Sequence, residues 1–127
     1  MPHTNKASAP VSVDIPGLEG RYVDLDGYTV GFETYKADAD PAGFFRGLPD
    51  DRCQCPHWGV VLTGSISFRF ADHTETYAAG DAYYAPPGHT PVLTAGTEII
   101  EFSPSEGLNA TMIVVGANLA AAAGASS

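Results

Sequence analysis

The chain has 127 residues and a mass of 13.3 kDa, enough for one domain with a real core and too few for two. Six basic against fifteen acidic residues give a formal charge of −9, which repels phosphate backbones and anionic bilayers and argues against nucleic acid or membrane as a partner. Fourteen glycines and ten prolines scattered among Val, Ile, Thr, Tyr and Phe suit short strands joined by tight turns, so the composition predicts an all-β domain.

Residues 1–20 read as a flexible leader holding one short strand, Val11 to Ile15, ahead of the Pro16-Gly17 turn. Met1 to Pro10 is polar and lacks the apolar core of a secretory signal. Met112 to Ala123 is too short to span a bilayer and is interrupted by Gly116 and Asn118, so a soluble, cytoplasmic protein is expected. The domain itself is expected over 21–118. Arg21 to Leu25 and Tyr28 to Lys36 read as a hairpin around Asp26-Gly27, a strong two-residue turn signal. On its second strand Tyr28, Val30 and Phe32 share one face, and Thr29, Gly31, Glu33 and Tyr35 the other. Ala37 to Asp50 breaks the rhythm with Asp40-Pro41, Gly43, Gly47 and Pro49, which predicts a loop with at most one helical turn around Ala42 to Arg46.

Next comes Cys53 to Gly64. Alternate residues of an extended chain point the same way, so Cys53, Cys55 and His57 could all face one interior. In a reducing compartment, with one residue between them, the two cysteines are expected as thiols rather than a bridge. His57 to Thr63 reads as a strand that turns at Gly64 into Ser65 to Phe70, where Ile66, Phe68 and Phe70 alternate with polar residues. Ala71-Asp72-His73 leads to a strand over Thr74 to Ala78, and Gly80-Asp81 to another over Ala82 to Ala85 that Pro86-Pro87-Gly88 stops. Thr90 to Thr94 and Glu98 to Phe102 pair around Ala95-Gly96. Ser103 to Leu108 is expected as a loop and Thr111 to Val115 as a last apolar strand. The Ala-rich tail over 119–127 reads as a frayed helix or disordered chain. Short strands with regular turns describe a closed barrel or a double-sheet jelly roll.

The run Gly80-Asp81-Ala82-Tyr83-Tyr84-Ala85-Pro86-Pro87-Gly88-His89 resembles the second motif of the cupins, and Val61-Leu62-Thr63-Gly64 resembles the end of their first. The resemblance covers residues 21 to 115 or so. It implies a cupin-type double-stranded β-helix, an RmlC-like jelly-roll barrel with a site inside it, in a small bacterial protein that is often a homodimer. Metal-binding cupins carry two histidines one residue apart, a glutamate several residues on and a histidine in the second motif. Counting back from Gly64 puts His57 at the glutamate position, Cys53 at the second histidine and Asp51 at the first. The usual second-motif position holds Pro91, while His89 lies one residue past Gly88. The common three-histidine, one-glutamate set is absent. The chain instead resembles a cupin subgroup with a Cys-x-x-x-His first motif and a Pro-Pro-Gly-His second motif.

Cys53, His57 and His89 are the favoured metal ligands, and Cys55 has the parity to join or replace Cys53. Mixed thiolate and imidazole donors favour zinc among divalent transition metals, with iron, nickel and copper as further options. The plainer reading is that the cysteines are small buried hydrophobes and His89 caps a turn carbonyl. His3 and His73 are expected to be solvent-exposed. Glu33 and Glu101 sit within otherwise apolar strands and most simply point outward. Inside a barrel Glu101 would be the candidate general acid or base, with Glu33, Tyr35, Trp58 and Tyr84 lining a pocket; the aromatics suit a core or dimer interface equally well. No nucleophile elbow, phosphate loop or dinucleotide fingerprint is present, and a Cys–His nucleophile ranks below metal binding. The expected function is a metal-binding cupin acting on a small organic molecule by lyase, isomerase, hydrolase or oxygenase chemistry. The alternative is a non-catalytic ligand-binding or sensing module with a structural metal or none.

Overall fold

The computed structural model describes residues 2–125. In chain order they form β1 (Val11–Ile15), β2 (Leu18–Leu25), β3 (Tyr28–Tyr35), β4 (His57–Thr63), β5 (Ser65–Arg69), β6 (Thr74–Ala78), β7 (Ala82–Ala85), β8 (Thr90–Val92), β9 (Glu98–Pro104) and α1 (Ser105–Ala125). Asp26 and Gly27 take positive φ of 51° and 85°, as a tight hairpin turn requires, and so fix the β2–β3 register of Leu25 opposite Tyr28. The strands make one six-stranded sheet, ordered β1-β2-β3-β9-β4-β7, and one three-stranded sheet, β6-β5-β8. All pairings within both sheets are antiparallel.

The two sheets close on a shared core. Tyr35, Val61, Tyr83, Ala85 and Ile99 from the larger sheet meet Ile66 and Phe68 from the smaller one, with Leu93 between them. At the β4–β5 corner only glycine fits: Gly64 has φ +76°, and a Cβ there would stand 2.3 Å from Thr97 Oγ1. This is the all-β jelly roll that the sequence predicts, with one helix added at its C-terminal end.

That helix corrects the expectation at Thr111 to Val115, which lies in α1 and not in a strand. The physical reason is legible in the spacing. Leu108, Met112, Val115 and Leu119 recur at steps of four, three and four, a helical stripe. They pack with Phe44, Phe45 and Leu48, the chain before the metal-ligand candidates. Asn118 Nδ2 donates to the carbonyls of Phe44 and Arg46, each at 2.8 Å, which fastens α1 across that segment. The segment contains two short 3₁₀ turns, Pro41–Phe45 and Pro49–Asp51.

Strand pairing begins at Val11, and the chain ahead of it rests on the barrel. Ala9 is buried with Val30 and Phe32, and Arg21 Nη1 donates to the carbonyls of Lys6 and Ala9. At the other end α1 continues across 118/119; Ser126 and Ser127 of the expected tail lie outside the described residues. No described helix is long and apolar enough to cross a membrane.

Candidate functional site

Cys53 and His89 are brought together by the backbone. An isolated bridge joins them, with Cys53 N donating to the His89 carbonyl and Gly88 N to the Cys53 carbonyl, both at 2.8 Å. His57 opens β4, opposite Ala85 of β7, and its side chain points inward. All three side chains are buried, and one potential ligand atom from each lies within 4.8 Å of the others.

Hydrogen bonds orient both rings. His89 Nδ1 lies 2.7 Å from the Pro86 carbonyl. A carbonyl only accepts, so Nδ1 carries the proton and Nε2 keeps its lone pair. His57 Nδ1 is held by Ser103 Oγ at 2.6 Å, which turns Nε2 to Cys53 Sγ at 3.6 Å. A partner on the far ring nitrogen is the usual support of a metal-binding histidine. Burial lowers both imidazole pKa values to about 4, and the neighbouring His57 adds to the effect on His89, so both rings are neutral at pH 7. Burial raises the Cys53 thiol. Thr111 Oγ1, from α1, lies 3.6 Å from Cys53 Sγ, so the helix completes the wall behind this atom.

Cys55 lies outside the cluster. The chain bends at this residue, and strict alternation does not run from Cys53 to His57. Cys55 Sγ turns instead toward α1, where it would stand 3.3 Å from a Cβ at Gly107; the missing side chain lets the helix come close. Burial pushes this thiol up to about 12.

Glu33 and Glu101 face inward, against the simpler outward reading. Registers across the large sheet align Tyr22 of β2, Gly31 of β3, Glu101 of β9, Gly59 of β4 and Tyr83 of β7 in one transverse row. The two glycines leave room for the tyrosine rings to lie on the sheet: a Cβ at Gly31 would be 2.8 Å from Tyr22 Cε1, and one at Gly59 would be 2.5 Å from Tyr83 Cζ. Tyr83 then donates to Glu101 Oε1 at 2.7 Å. Tyr22 donates to Glu33 Oε2 at 2.5 Å and Tyr35 to Glu33 Oε1 at 3.0 Å. Glu101 Oε2 approaches His57 Nδ1 to 3.9 Å, which links the acidic group to the histidines. Burial, joined at Glu33 by the Glu101 charge and partly offset by the tyrosine hydroxyls, raises both carboxyls to about 7.

Tyr35 lines the interior, but Trp58 and Tyr84 do not. They pack together on the outer face of the large sheet, 43% and 46% exposed, and are surface residues rather than pocket walls. Tyr83, Tyr22, Ser103 and Thr111 hold the inner positions that the sequence reading missed. His73 is exposed and stacks on Phe70, and His3 is exposed as well, so neither belongs to the cluster.

These groups open onto a cavity of about 280 Å³ between the sheets. Its walls include Ile15 of β1, Phe44 and Phe45 ahead of the site, and Leu108 and Met112 of α1. Glu33, Tyr35, His57, His89 and Glu101 form its polar end.

Two facing antiparallel sheets with inward histidines at one end make this a cupin-type jelly roll. Solved structures of that fold match the chain. They include KdgF from Halomonas sp., at 16% identity over 79% of this chain and 90% of the other, with a TM-score of 0.54. An RmlC-like cupin from Shewanella frigidimarina matches at 15% identity over 80% and 88%, with a TM-score of 0.54. The polyketide cyclase RemF from Streptomyces resistomycificus matches at 17% identity over 82% and 79%, with a TM-score of 0.57. At these identities the likeness is one of fold. No family model matches the chain, and no curated protein matches it by sequence.

Proposed function

We propose that this chain binds a divalent transition metal through Cys53, His57 and His89 and acts on a small organic molecule held in the adjoining cavity. The observation that carries the reading is the convergence of three buried donor atoms within 4.8 Å. Zinc is the first candidate. On a tetrahedral zinc a thiolate sulfur and an imidazole nitrogen stand about 3.6 Å apart, and Cys53 Sγ and His57 Nε2 are separated by 3.6 Å. Iron, nickel and copper accept the same donors. Three protein ligands leave a coordination position for water or substrate, and a bound metal would supply Lewis-acid activation, or oxygen chemistry if it is iron.

The chain's own residues supply the rest. Ser103 and the Pro86 carbonyl hold the two rings. Glu101, raised to about 7 by burial, is matched to proton transfer near neutrality. This suits isomerase, lyase or hydrolase chemistry.

Elemental analysis of protein purified without added metal tests the reading. About one equivalent of a transition metal per chain is expected; less than about a tenth, with no thermal shift on adding zinc, refutes it. Cys53→Ser and His89→Ala should each lose the metal, whereas Cys55→Ser should keep it.

A further inference from the structure

We infer that the cavity takes an uncharged, largely apolar molecule that donates a hydroxyl hydrogen bond to Glu101 Oε2, and that it rejects ligands bearing a carboxylate or phosphate. The inference rests on the proposal that this cavity is the ligand site, but not on the metal.

The charge inventory comes first. None of the six basic residues lines the cavity. Four of them are already engaged in ion pairs: Lys6 with Glu98, Arg21 with Glu19, Lys36 with Asp14, and Arg69 with Asp40, which lines the cavity. The lining does include Asp40, whose charge Arg69 pairs, and Glu33 and Glu101, which no cationic side chain pairs. An anionic ligand would enter beside two carboxyl groups with no cationic side chain to meet it, which is an unpaired charge in a desolvated place.

The hydrogen-bond inventory points the same way. The Tyr22, Tyr35 and Tyr83 hydroxyls each donate to a carboxyl oxygen. Thr29 donates to Asp24 Oδ1, Ser103 is engaged with His57, and Thr111 is in contact with Cys53. Every fully buried polar side-chain atom among the described residues has a partner. Three of the four oxygens of Glu33 and Glu101 accept from tyrosines. The fourth, Glu101 Oε2, has only His57 Nδ1 near it, at 3.9 Å, beyond hydrogen-bond reach. The cavity therefore offers a ligand acceptors and hardly any donors. A hydroxyl meets that pattern, and a carboxylate, which only accepts, does not. Specificity then arises mainly by rejection, and affinity from apolar walls such as Phe44, Phe68, Leu108 and Met112.

A matched pair of probes tests this: naphthol and its carboxylate counterpart naphthoate, titrated at pH 8 into the full chain as purified and again after chelator treatment. Naphthol should bind the chelated form at least about tenfold more tightly than naphthoate, and a metal on Cys53, His57 and His89 should narrow that ratio by offering the carboxylate a cation. Glu101→Gln, which removes the charge and places an amide donor in the cavity, should erase most of that ratio. Glu75→Gln, on exposed β6 and outside the cavity lining, should keep both naphthol binding and the ratio, and circular dichroism of each variant verifies its fold. Equal or tighter binding of naphthoate to the chelated wild type, or no binding of naphthol to either form, overturns the inference. Protein that carries no metal as purified and yet prefers naphthol would refute the metal assignment and leave the ligand class standing. Protein that carries metal as purified but shows no preference once chelated would do the reverse.

Discussion

Replacing Glu33 by Gln should make the protein relatively more stable as the pH rises. Glu33 is half-buried on the inner face of β3, where loss of solvent and the Glu101 charge raise its pKa from 4.5 to about 7. Between those values the unfolded carboxyl is ionised while the folded one still holds its proton. Stability attributable to Glu33 is therefore full below pH 4.5 and is lost as the pH rises to 7. At about 1.4 kcal/mol per pH unit, the whole span is worth about 3 kcal/mol. Glutamine has no proton to lose. Two neighbours oppose this trend in the wild type: His57 and His89, lowered to about 4 by burial, add stability as the pH rises from 4 to 6.5. Glu101, raised to about 7 by burial, adds to the trend. These three groups are present in both proteins, with only the smaller influence of the Glu33 charge on His57 lost in the variant, so the quantity to measure is the difference between variant and wild type. Urea unfolding of metal-free protein from pH 4.5 to 8 should show that difference moving by about 3 kcal/mol in favour of Glu33→Gln. A difference that stays constant within about 0.5 kcal/mol would refute the placement of a costly ionised carboxylate at this position.

Two other substitutions probe the framework. In Gly59→Ala the new methyl would meet the Tyr83 ring 2.5 Å from Cζ, displacing the ring and its bond to Glu101. A loss of about 1–3 kcal/mol is expected in thermal unfolding, against no loss for Gly17→Ala, where a Cβ meets nothing within 4 Å. Equal melting of Gly59→Ala and the wild type would refute the Tyr–Gly–Glu–Gly–Tyr row. We also propose that a second copy of the chain covers the outer face of β4, β7 and β9, where Trp58, Val60, Leu62, Tyr84 and Phe102 are exposed and uncharged. Sizing should give a dimer that Trp58→Glu dissociates; a wild-type monomer near 13.3 kDa would refute it.

Much of this architecture was legible in the sequence, because turn chemistry and alternation are local. Asp26-Gly27 marked its hairpin, Gly64 its corner, and Ile66 and Phe68 their inward face. Cys53, His57 and His89 were legible as a set, since the same turns return their strands to one end of the barrel. The faces of β3 and β9 were not. The usual rule sends apolar residues inward, yet here Phe102 and Trp58 face out while Glu101 and Glu33 face in. Apolar residues cover both faces of the large sheet, so alternation alone cannot tell which face holds the carboxyls. Tyr83 and Tyr84 pose the same problem in miniature, as adjacent tyrosines on opposite faces. Pairing settles it: His57 lies opposite Ala85, so Tyr83, two residues back, shares the inward face.

The misread helix matters more for function than its position at the end of the chain suggests. With a strand over Thr111 to Val115, the site would consist of a barrel end alone, and Cys55 would be free to join Cys53. With α1 in place, Leu108 and Met112 close one wall of the cavity, Thr111 stands against Cys53 Sγ, and Gly107 lets the helix press on Cys55. The helix thus distinguishes two thiols that alternation made equivalent. Cys53 stays with the histidines, and Cys55 is committed to the packing that holds α1 over them.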